Sequence, residues 1–308
     1  MLSSLGWTDP SLWWAHWQTL GGLDLAREDW PVQVPDQWVT HVALPLLTRV
    51  QTALTRRTRT ILGVSALPGC GKSTLCSWVK SASTRLGWSV EHLSLDDFYW
   101  PAQQLDKSME GNPWSVPRAL PGSHDISGMI RSLETWKSTG VIQAPRFDKS
   151  LRDGRGDRSG FTESESDLVI LEGWFLGASP LSLEASGCTQ QLSDAEHAWR
   201  PRTVSSLHDY KQVWSLLDDL WHLRAVRQDA SSSWKRQQLT TLEQTSGVGY
   251  SSGDLADFNR MVQTALPSHW LHQLPSASVV MDLTSTRDVR EIHLIDAQLS
   301  ASSASATG

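Results

Sequence analysis

The sequence has few cysteines and no long apolar run. Only Cys70, Cys76 and Cys188 occur among its 308 residues, too few and too scattered for a disulfide framework or a zinc site, and such usage favours a reducing cytoplasm. No uninterrupted apolar stretch approaches the roughly 20 residues that a membrane-spanning helix needs. The N-terminus lacks the basic start and apolar core of a signal peptide and is too acidic for a transit peptide. We therefore expect a cytoplasmic protein without a membrane partner.

An excess of basic charge is also lacking. The chain has 27 Lys and Arg against 33 Asp and Glu, a formal net charge of -6, which argues against a general nucleic-acid binder. Hydrophobic residues make up 39% and charged residues 19%, as in an ordinary globular protein. What is abundant is tryptophan, with 17 residues, six of them within the first 38. These side chains serve either as packing in the core or as an aromatic ligand platform.

Apolar periodicity predicts a series of strands and helices. Residues 1–37 show no clear period and read as an irregular cap. Helices are expected over 38–55, 73–86, from His124-Asp125 to about Lys137, and near 286–299; short apolar runs predict strands at 60–65, 90–95, 167–173 and 278–283. Strands separated by helical segments predict an α/β fold with a parallel sheet.

The domain organisation follows from the same pattern. We expect a Trp-rich helical N-terminal extension over 1–57, one α/β domain over 58–299 and a disordered small-polar tail over 300–308. No internal repeat or clean linker divides the chain further.

Residues 66–73, Ala-Leu-Pro-Gly-Cys-Gly-Lys-Ser, form a phosphate-binding loop between a strand and a helix, with alanine in place of the usual first glycine. Its glycines let backbone N–H groups turn around phosphate oxygens, and the helix directs its positive end at them. Lys72 is expected to neutralise the β- and γ-phosphates and the Ser73 hydroxyl to coordinate Mg²⁺. The loop thus predicts ATP and Mg²⁺ as cofactors. The nucleotide-binding residues are expected to be Gly69, Cys70, Gly71, Lys72, Ser73 and Thr74.

Cys70 lies inside this loop and has two interpretations. It is either a small side chain that the loop tolerates or an oxidation-sensitive thiolate whose pKa the helix N-terminus lowers.

Acidic residues end two of the predicted strands. Asp96-Asp97 follow the strand at 90–95, and Glu172 lies at the end of the strand at 167–173. Sites in open α/β sheets lie at the carboxyl ends of strands. One carboxylate there suits a base that takes a proton from an alcohol, and another suits Mg²⁺. Capping of the next helix by Asp97 or Asp96 stays open as the alternative.

Residues 111–125 are rich in proline and glycine, and residues 145–158 hold a local excess of cations. Contact with nucleic acid, a solvated turn and a clamp for a carboxylate or phosphate are the alternatives for residues 145–158, and the forked donors of arginine favour the clamp. His124 and Asp125 either begin a helix or contact a substrate hydroxyl.

Taken together, these segments resemble a known group of kinases. Ser-Leu-Asp-Asp-Phe-Tyr at 94–99, after the loop at 66–73, is similar to uridine kinase, pantothenate kinase and phosphoribulokinase. The segments 118–125, 147–150, 154–158 and 171–174 resemble the D-glycerate 3-kinase family of plant and cyanobacterial type. The resemblance implies ATP-dependent phosphorylation of D-glycerate, a small-molecule substrate, to 3-phosphoglycerate, the closing step of photorespiratory carbon salvage.

The resemblance also implies roles for particular residues. Lys72, Asp96 and Glu172 would be catalytic, with Asp96 as the base, and Ser73 and Glu172 would hold the metal. The substrate-binding candidates are Asp97, Arg118, His124, Asp125, Arg146, Lys149, Arg155 and Arg158. The substrate carboxylate would pair with Arg118, Arg146 or Arg158.

A lid over the site is expected from residues 222–236, which contain Arg224, Arg227, Lys235 and Arg236. Two other functions stay open. One is phosphorylation of pantothenate, a sugar phosphate, or a nucleoside stacked on Phe98, Tyr99 or Trp114. The other is an ATP-binding assembly protein without catalysis.

Overall fold

The computed structural model describes residues 1–28, 30–31, 34–179, 191–227, 229–246 and 252–295. Its strands are β1 (Thr60–Ala66), β2 (Val90–Ser94), β3 (Val141–Asp148), β4 (Asp157–Glu165), β5 (Leu168–Gly173), β6 (Asp219–Ala225), β7 (Val279–Leu283) and β8 (Val289–Leu294). Its α-helices are α1 (Pro10–Thr19), α2 (Gly22–Glu28), α3 (Leu44–Thr55), α4 (Lys72–Arg85), α5 (Ala102–Met109), α6 (Ile126–Thr139), α7 (Asp194–Ser215), α8 (Ala230–Ser246), α9 (Ser252–Thr264) and α10 (Ser268–His272). Within these described residues, no helix is both long enough and apolar enough to cross a membrane.

Six strands form one sheet in the order β2-β5-β1-β6-β7-β8, parallel except for β8, and helices flank it. Every residue of β1 and β5 is buried, as expected for strands covered on both faces. The α/β fold with a parallel sheet is thus confirmed. Because β2, β5 and β1 are neighbours, the segments that follow them meet at one edge of the sheet.

Two strands lie outside this sheet. β3 and β4 pair with each other in antiparallel register, with an irregularity between Arg146 and Phe147. The cation-rich segment 145–158 is therefore the end of a hairpin, whose strands are joined by residues 149–156.

The N-terminal region is more regular than its sequence suggests. Residues 10–28 form α1 and α2, so the prediction of an irregular cap over 1–37 is wrong there. A π-helical turn at Val39–Ala43 leads into α3. The indoles of Trp13 and Trp17 donate hydrogen bonds to the hydroxyl of Thr48, over 2.9 and 3.0 Å. Both rings are buried, and this confirms that these tryptophans pack in the core.

Two segments near the C-terminus differ from the sequence-based prediction. The expected lid at 222–236 begins inside β6, a central strand, where the charge of Arg224 is paired with Asp282. The expected final helix near 286–299 is wrong over β8, which pairs antiparallel with β7. The three-residue spacing of Val289, Ile292 and Ile295 imitates a helical stripe, but the ladder with β7 satisfies the backbone instead. The predicted tail at 300–308 lies outside the described residues.

Candidate active site

The loop after β1 has the conformation that phosphate binding requires. Gly69 and Gly71 adopt φ values of +78° and +107°, which side chains disfavour. A Cβ on Gly69 would come within 2.7 Å of the backbone nitrogen of Lys235, so α8 packs directly on the loop. Gly71 stands immediately before α4, and the free N–H groups of that helix therefore face the cleft.

Lys72 and Ser73 both contact Glu172. The Ser73 hydroxyl donates to Glu172 Oε1 over 2.7 Å, and the Lys72 ammonium lies 3.4 Å from Oε2. Glu172 is 2% exposed, and its position in β5 pairs with Val64 of β1 and Ser94 of β2. Burial alone would lower the pKa of Lys72, but the nearby Glu172 and Asp96 raise it above its ordinary value. The lysine is therefore charged when it faces the cleft.

Asp96 lies in a short 3₁₀ turn (Leu95–Phe98) that follows β2. Tyr99 donates its hydroxyl to Asp96 Oδ1 over 2.8 Å, and the Lys149 ammonium donates to Oδ2 over 2.6 Å. Burial would raise the pKa of Asp96, but the charge and hydrogen bond of Lys149 outweigh it and hold that pKa well below its usual range. Asp96 is thus ionised, with both oxygens engaged.

Asp97 has a different environment from its neighbour. Its Oδ2 accepts the backbone N–H of Ser94 over 2.9 Å in a capping box of the same turn. Burial raises the pKa of Asp97 to about 6, although the Ser94 N–H opposes this shift. Asp97 is thus the third residue of the capping box whose N-cap is Ser94, and it does not cap the next helix, which begins after Pro101.

Comparison with known proteins agrees with this geometry. No family model matches the sequence. The uncharacterized kinase mug58 of Schizosaccharomyces pombe is 32% identical over 214 residues, which cover 64% of this chain and 76% of that protein. The chloroplastic D-glycerate 3-kinase of Arabidopsis thaliana is 29% identical over 223 residues, 68% of this chain and 46% of that protein. The chain belongs to the D-glycerate 3-kinase family.

A solved structure has the same fold. The D-glycerate 3-kinase of Cryptococcus neoformans superposes with a TM-score of 0.68 at 20% identity, covering 82% of this chain and 99% of that one. The chain is accordingly a P-loop kinase, an ATP-dependent enzyme that acts on a small molecule.

One cleft of about 2320 Å³ brings together most of the predicted site residues. It is lined by the whole loop from Gly69 to Thr74 and by Asp96, Asp97, Arg118, Lys149, Arg155 and Glu172. Within the loop, burial raises the pKa of Cys70 to about 12 against the lowering influence of Lys72 and Arg287. Cys70 is fully buried, and this favours the interpretation of the residue as a small side chain that the loop tolerates.

Arg118 is the arginine best placed for an anion. It donates to the carbonyl oxygens of Gly154 and Arg155 over 2.6 and 2.9 Å, and its guanidinium lies 5.9 Å from the centre of the Phe147 ring. Within the described residues no carboxylate lies within ion-pair distance of Arg118. By contrast, Arg155 is paired with Asp106.

Four predicted substrate residues do not line the cleft. Asp125 caps α6 through the N–H of Gly128 and pairs with Arg158, whose Nε donates to the carbonyl of Tyr99. Arg146 is exposed on β3. Asp125 and Arg158 therefore have structural positions. Arg146 faces solvent because strand alternation turns its neighbour Phe147 to the other side of the hairpin.

His124 is the fourth of these residues. It is buried, stacks on Tyr99 at 4.4 Å between ring centroids, and its Nδ1 is hydrogen-bonded to the Tyr210 hydroxyl over 2.7 Å. Burial lowers the pKa of His124 to about 3. The enclosed imidazole supports the Tyr99 ring and does not line the cleft.

Sequence reasoning missed Arg287 and named Lys235 only as one of four expected lid cations. Arg287, in the turn between β7 and β8, donates to the carbonyl of Gly69 over 3.0 Å. Lys235 lines the cleft from α8 with its ammonium 5.1 Å from the centre of the Phe258 ring, while Arg224, Arg227 and Arg236 do not line it. A cation shortly after a buried strand was the available signal for Arg287, but it fell in a segment read as helix.

Proposed function

We propose that this kinase transfers the γ-phosphoryl group of ATP to the 3-hydroxyl of D-glycerate and forms 3-phosphoglycerate. The observation that carries the proposal is the ionised carboxylate of Asp96 in the same cleft as the phosphate-binding loop. Beside it stand Lys149 and Arg118, two cations of the kind that a hydroxy acid requires. Family membership supports the same substrate.

In the proposed reaction the glycerate 3-hydroxyl oxygen bonds to the γ-phosphorus in line with the departing ADP oxygen. The bond from the γ-phosphorus to the bridging oxygen breaks, and ADP leaves with the electron pair. The hydroxyl proton passes to Asp96, which acts as general base. The turn after β2 directs Asp96 into the cleft, so we assign the base to it and not to Asp97.

Two lysines suit the charge that develops on the transferred group. Lys72 begins α4 beside the loop, and Lys235 enters the cleft from α8. Fixed cations aimed at developing charge are a large contribution to phosphoryl transfer. Lys235 is therefore our candidate for the lid cation expected within 222–236.

The residues near Lys72 also fit Mg²⁺. Glu172 Oε2 is a buried oxygen without a hydrogen-bond donor at normal distance, and the Ser73 hydroxyl stands beside it. An oxygen set of this kind suits a hard divalent cation. Ser73 and Glu172 would hold the ion, which would neutralise phosphate charge when it is bound.

The alternative of a nucleoside acceptor loses its expected stacking partners. Phe98 and Trp114 are buried, and the Trp114 indole donates to the Thr264 hydroxyl. The Tyr99 ring is stacked on His124. The exposed Lys149 and the half-buried Arg118 favour an acidic acceptor over a nucleoside.

A panel of acceptors tests the proposal. ADP release is measured with D-glycerate, L-glycerate, glycerol, pantothenate, uridine and ribulose 5-phosphate, and the phosphorylated carbon of the product is identified by NMR. We expect D-glycerate to be preferred and to be phosphorylated at carbon 3, with Lys72→Ala abolishing turnover. Preference for another acceptor, or binding of ATP without transfer to any of them, would contradict the proposal.

Two wider expectations accompany this function. The small number of cysteines supports a cytoplasmic location, which we propose for this chain. The photorespiratory role implied by the resemblance stays a prediction.

A further inference from the structure

The proposed base is not free to act in the structure. Asp96 Oδ2 accepts from Lys149 over 2.6 Å and Oδ1 from the Tyr99 hydroxyl over 2.8 Å. A carboxylate whose oxygens are both hydrogen-bonded, one of them by an ammonium, is a weak proton acceptor. Catalysis through Asp96 therefore requires one of these two contacts to open.

The two contacts differ in how easily they open. Tyr99 is buried, and its ring is stacked on His124 and contacts Phe147 edge-on. The Lys149 side chain is 50% exposed, and it comes from the turn of the β3–β4 hairpin. A lysine ammonium on a long stem moves without disturbing the backbone. Lys149 is therefore the contact that leaves.

The backbone around Lys149 is fixed while its side chain is not. Asp148 accepts hydrogen bonds from the N–H and hydroxyl of Ser150, and Arg118 donates to the carbonyls of Gly154 and Arg155. Arg152 pairs with Asp106 on α5. These contacts hold the hairpin turn at the cleft, so the reach of the ammonium stays within the site.

Once released, the ammonium needs another anion. Glu172 is engaged by Lys72 and Ser73, and Asp97 caps the turn after β2. Lys149, Lys72 and Arg118 all lie close enough to Lys235 to add to burial in lowering the pKa of Lys235 to about 8. This side of the cleft is therefore rich in cations and suits an incoming carboxylate.

Resting on the proposed function, we infer that Lys149 exchanges partners during binding: it leaves Asp96 for the carboxylate of the acceptor. Asp96 is thereby freed as a base only when a hydroxy acid occupies the cleft. The acceptor class is an alcohol that carries a carboxylate. Lys149 positions the acceptor and controls the base, whereas Asp96 handles the proton.

The exchange leaves the reaction balanced. Lys149 stays an ammonium and moves from one carboxylate to the other. The acceptor hydroxyl gives its proton to Asp96 Oδ2 as its oxygen bonds to the γ-phosphorus, and ADP leaves with the electron pair of the broken bond. Without an acceptor, Lys149 stays on Asp96 and the carboxylate does not activate water, so hydrolysis of ATP is suppressed.

Lys149→Met tests the exchange through two activities that should change in opposite directions. We expect the preference for D-glycerate over glycerol, as a ratio of kcat/KM, to fall at least about tenfold. We expect acceptor-free ATP hydrolysis to rise several-fold, because Asp96 is no longer paired. A structural defect would lower both activities together. Lys149→Arg should restore the preference, and Lys149→Gln, a second neutral variant, should repeat the Lys149→Met result.

Two further variants assign the effect. Lys211→Met removes an exposed lysine from α7 and should change neither activity. Asp96→Asn combined with Lys149→Met should lose the added hydrolysis, since that hydrolysis depends on the freed carboxylate. An unchanged preference in Lys149→Met, hydrolysis that falls with transfer, or a loss confined to the KM for ATP would overturn the inference. The last result would mean that the Lys149 ammonium pairs with the nucleotide phosphates and not with the acceptor carboxylate.

Failure of the Lys149 exchange can be distinguished from failure of the proposed function. If wild-type kinase does not phosphorylate D-glycerate, the proposed function fails, and the same variants are measured with the acceptor that the panel identifies. A preferred acceptor with a carboxylate would leave the exchange standing if the two activities diverge as described. A preferred acceptor without a carboxylate would overturn it.

Discussion

The charge of a single residue, Lys235, makes the activity of this site depend on pH. Burial, with Lys149 and Lys72 nearby, lowers the pKa of Lys235 to about 8. Its cation is therefore complete below that pH and is lost as the pH rises through about 8. We expect kcat/KM for ATP, which reports the free enzyme, to fall on the alkaline side near this value.

Lys235→Arg should move that alkaline fall to higher pH, because a guanidinium keeps its charge. The measurement is a pair of pH profiles of kcat/KM for ATP, with Lys211→Arg as the matched control. An alkaline limb that stays in place in Lys235→Arg would show that another group titrates there.

Individual site residues were predictable from the sequence where their position depends only on residues close to them along the chain. Lys72, Ser73, Asp96 and Glu172 follow directly from a loop and from strand ends. The ion pair of Asp96 with Lys149 was not predictable, because it joins residues 53 apart through a hairpin that the sequence did not reveal.

At the scale of elements, the packing of α8 on the phosphate-binding loop has a measurable consequence. Gly69→Ala would place a Cβ 2.7 Å from the Lys235 backbone and at a positive φ. Overpacking of about 1–3 kcal/mol that displaces the loop from its phosphate-binding conformation corresponds to a roughly 5- to 150-fold rise in the Kd for ATP. Titration calorimetry measures it.

Gly87→Ala is the matched control for this variant. Gly87 has almost the same φ, +77°, but nothing lies within 4 Å of the position that a Cβ would take there. We expect similar backbone strain and an unchanged Kd for ATP. Equal effects of the two substitutions would assign the loss to strain alone and not to contact with α8.

Elements with strong apolar runs were predicted well, whereas β6, in which charged and apolar residues alternate, was not. β1, β5 and α4 follow their apolar patterns because burial on both faces, or on one stripe, dictates their composition. β6 was missed because it carries His222 and Arg224, and the charge of Arg224 is acceptable in a sheet only through its pair with Asp282. Such pairing depends on tertiary structure.

At the scale of the whole molecule, the N-terminal extension and the α/β body share one core. Trp38 is fully buried, its indole donates to the carbonyl of Arg287, and its ring lies 3.8 Å from a Cβ position on Gly71. The extension thus packs behind the phosphate-binding loop and the β7–β8 turn. We propose that residues 1–57 fold as part of the kinase body.

The central claim is that Asp96 takes a proton from an alcohol next to the phosphate-binding loop. The direct measurement compares wild type, Asp96→Asn and, as a remote control, Asp209→Asn on α7, in D-glycerate-dependent ADP release and in the Kd for ATP. We predict that Asp96→Asn binds ATP normally and loses about 10²–10⁴ in kcat, while the control matches wild type. Asp96→Asn with wild-type turnover would contradict the account.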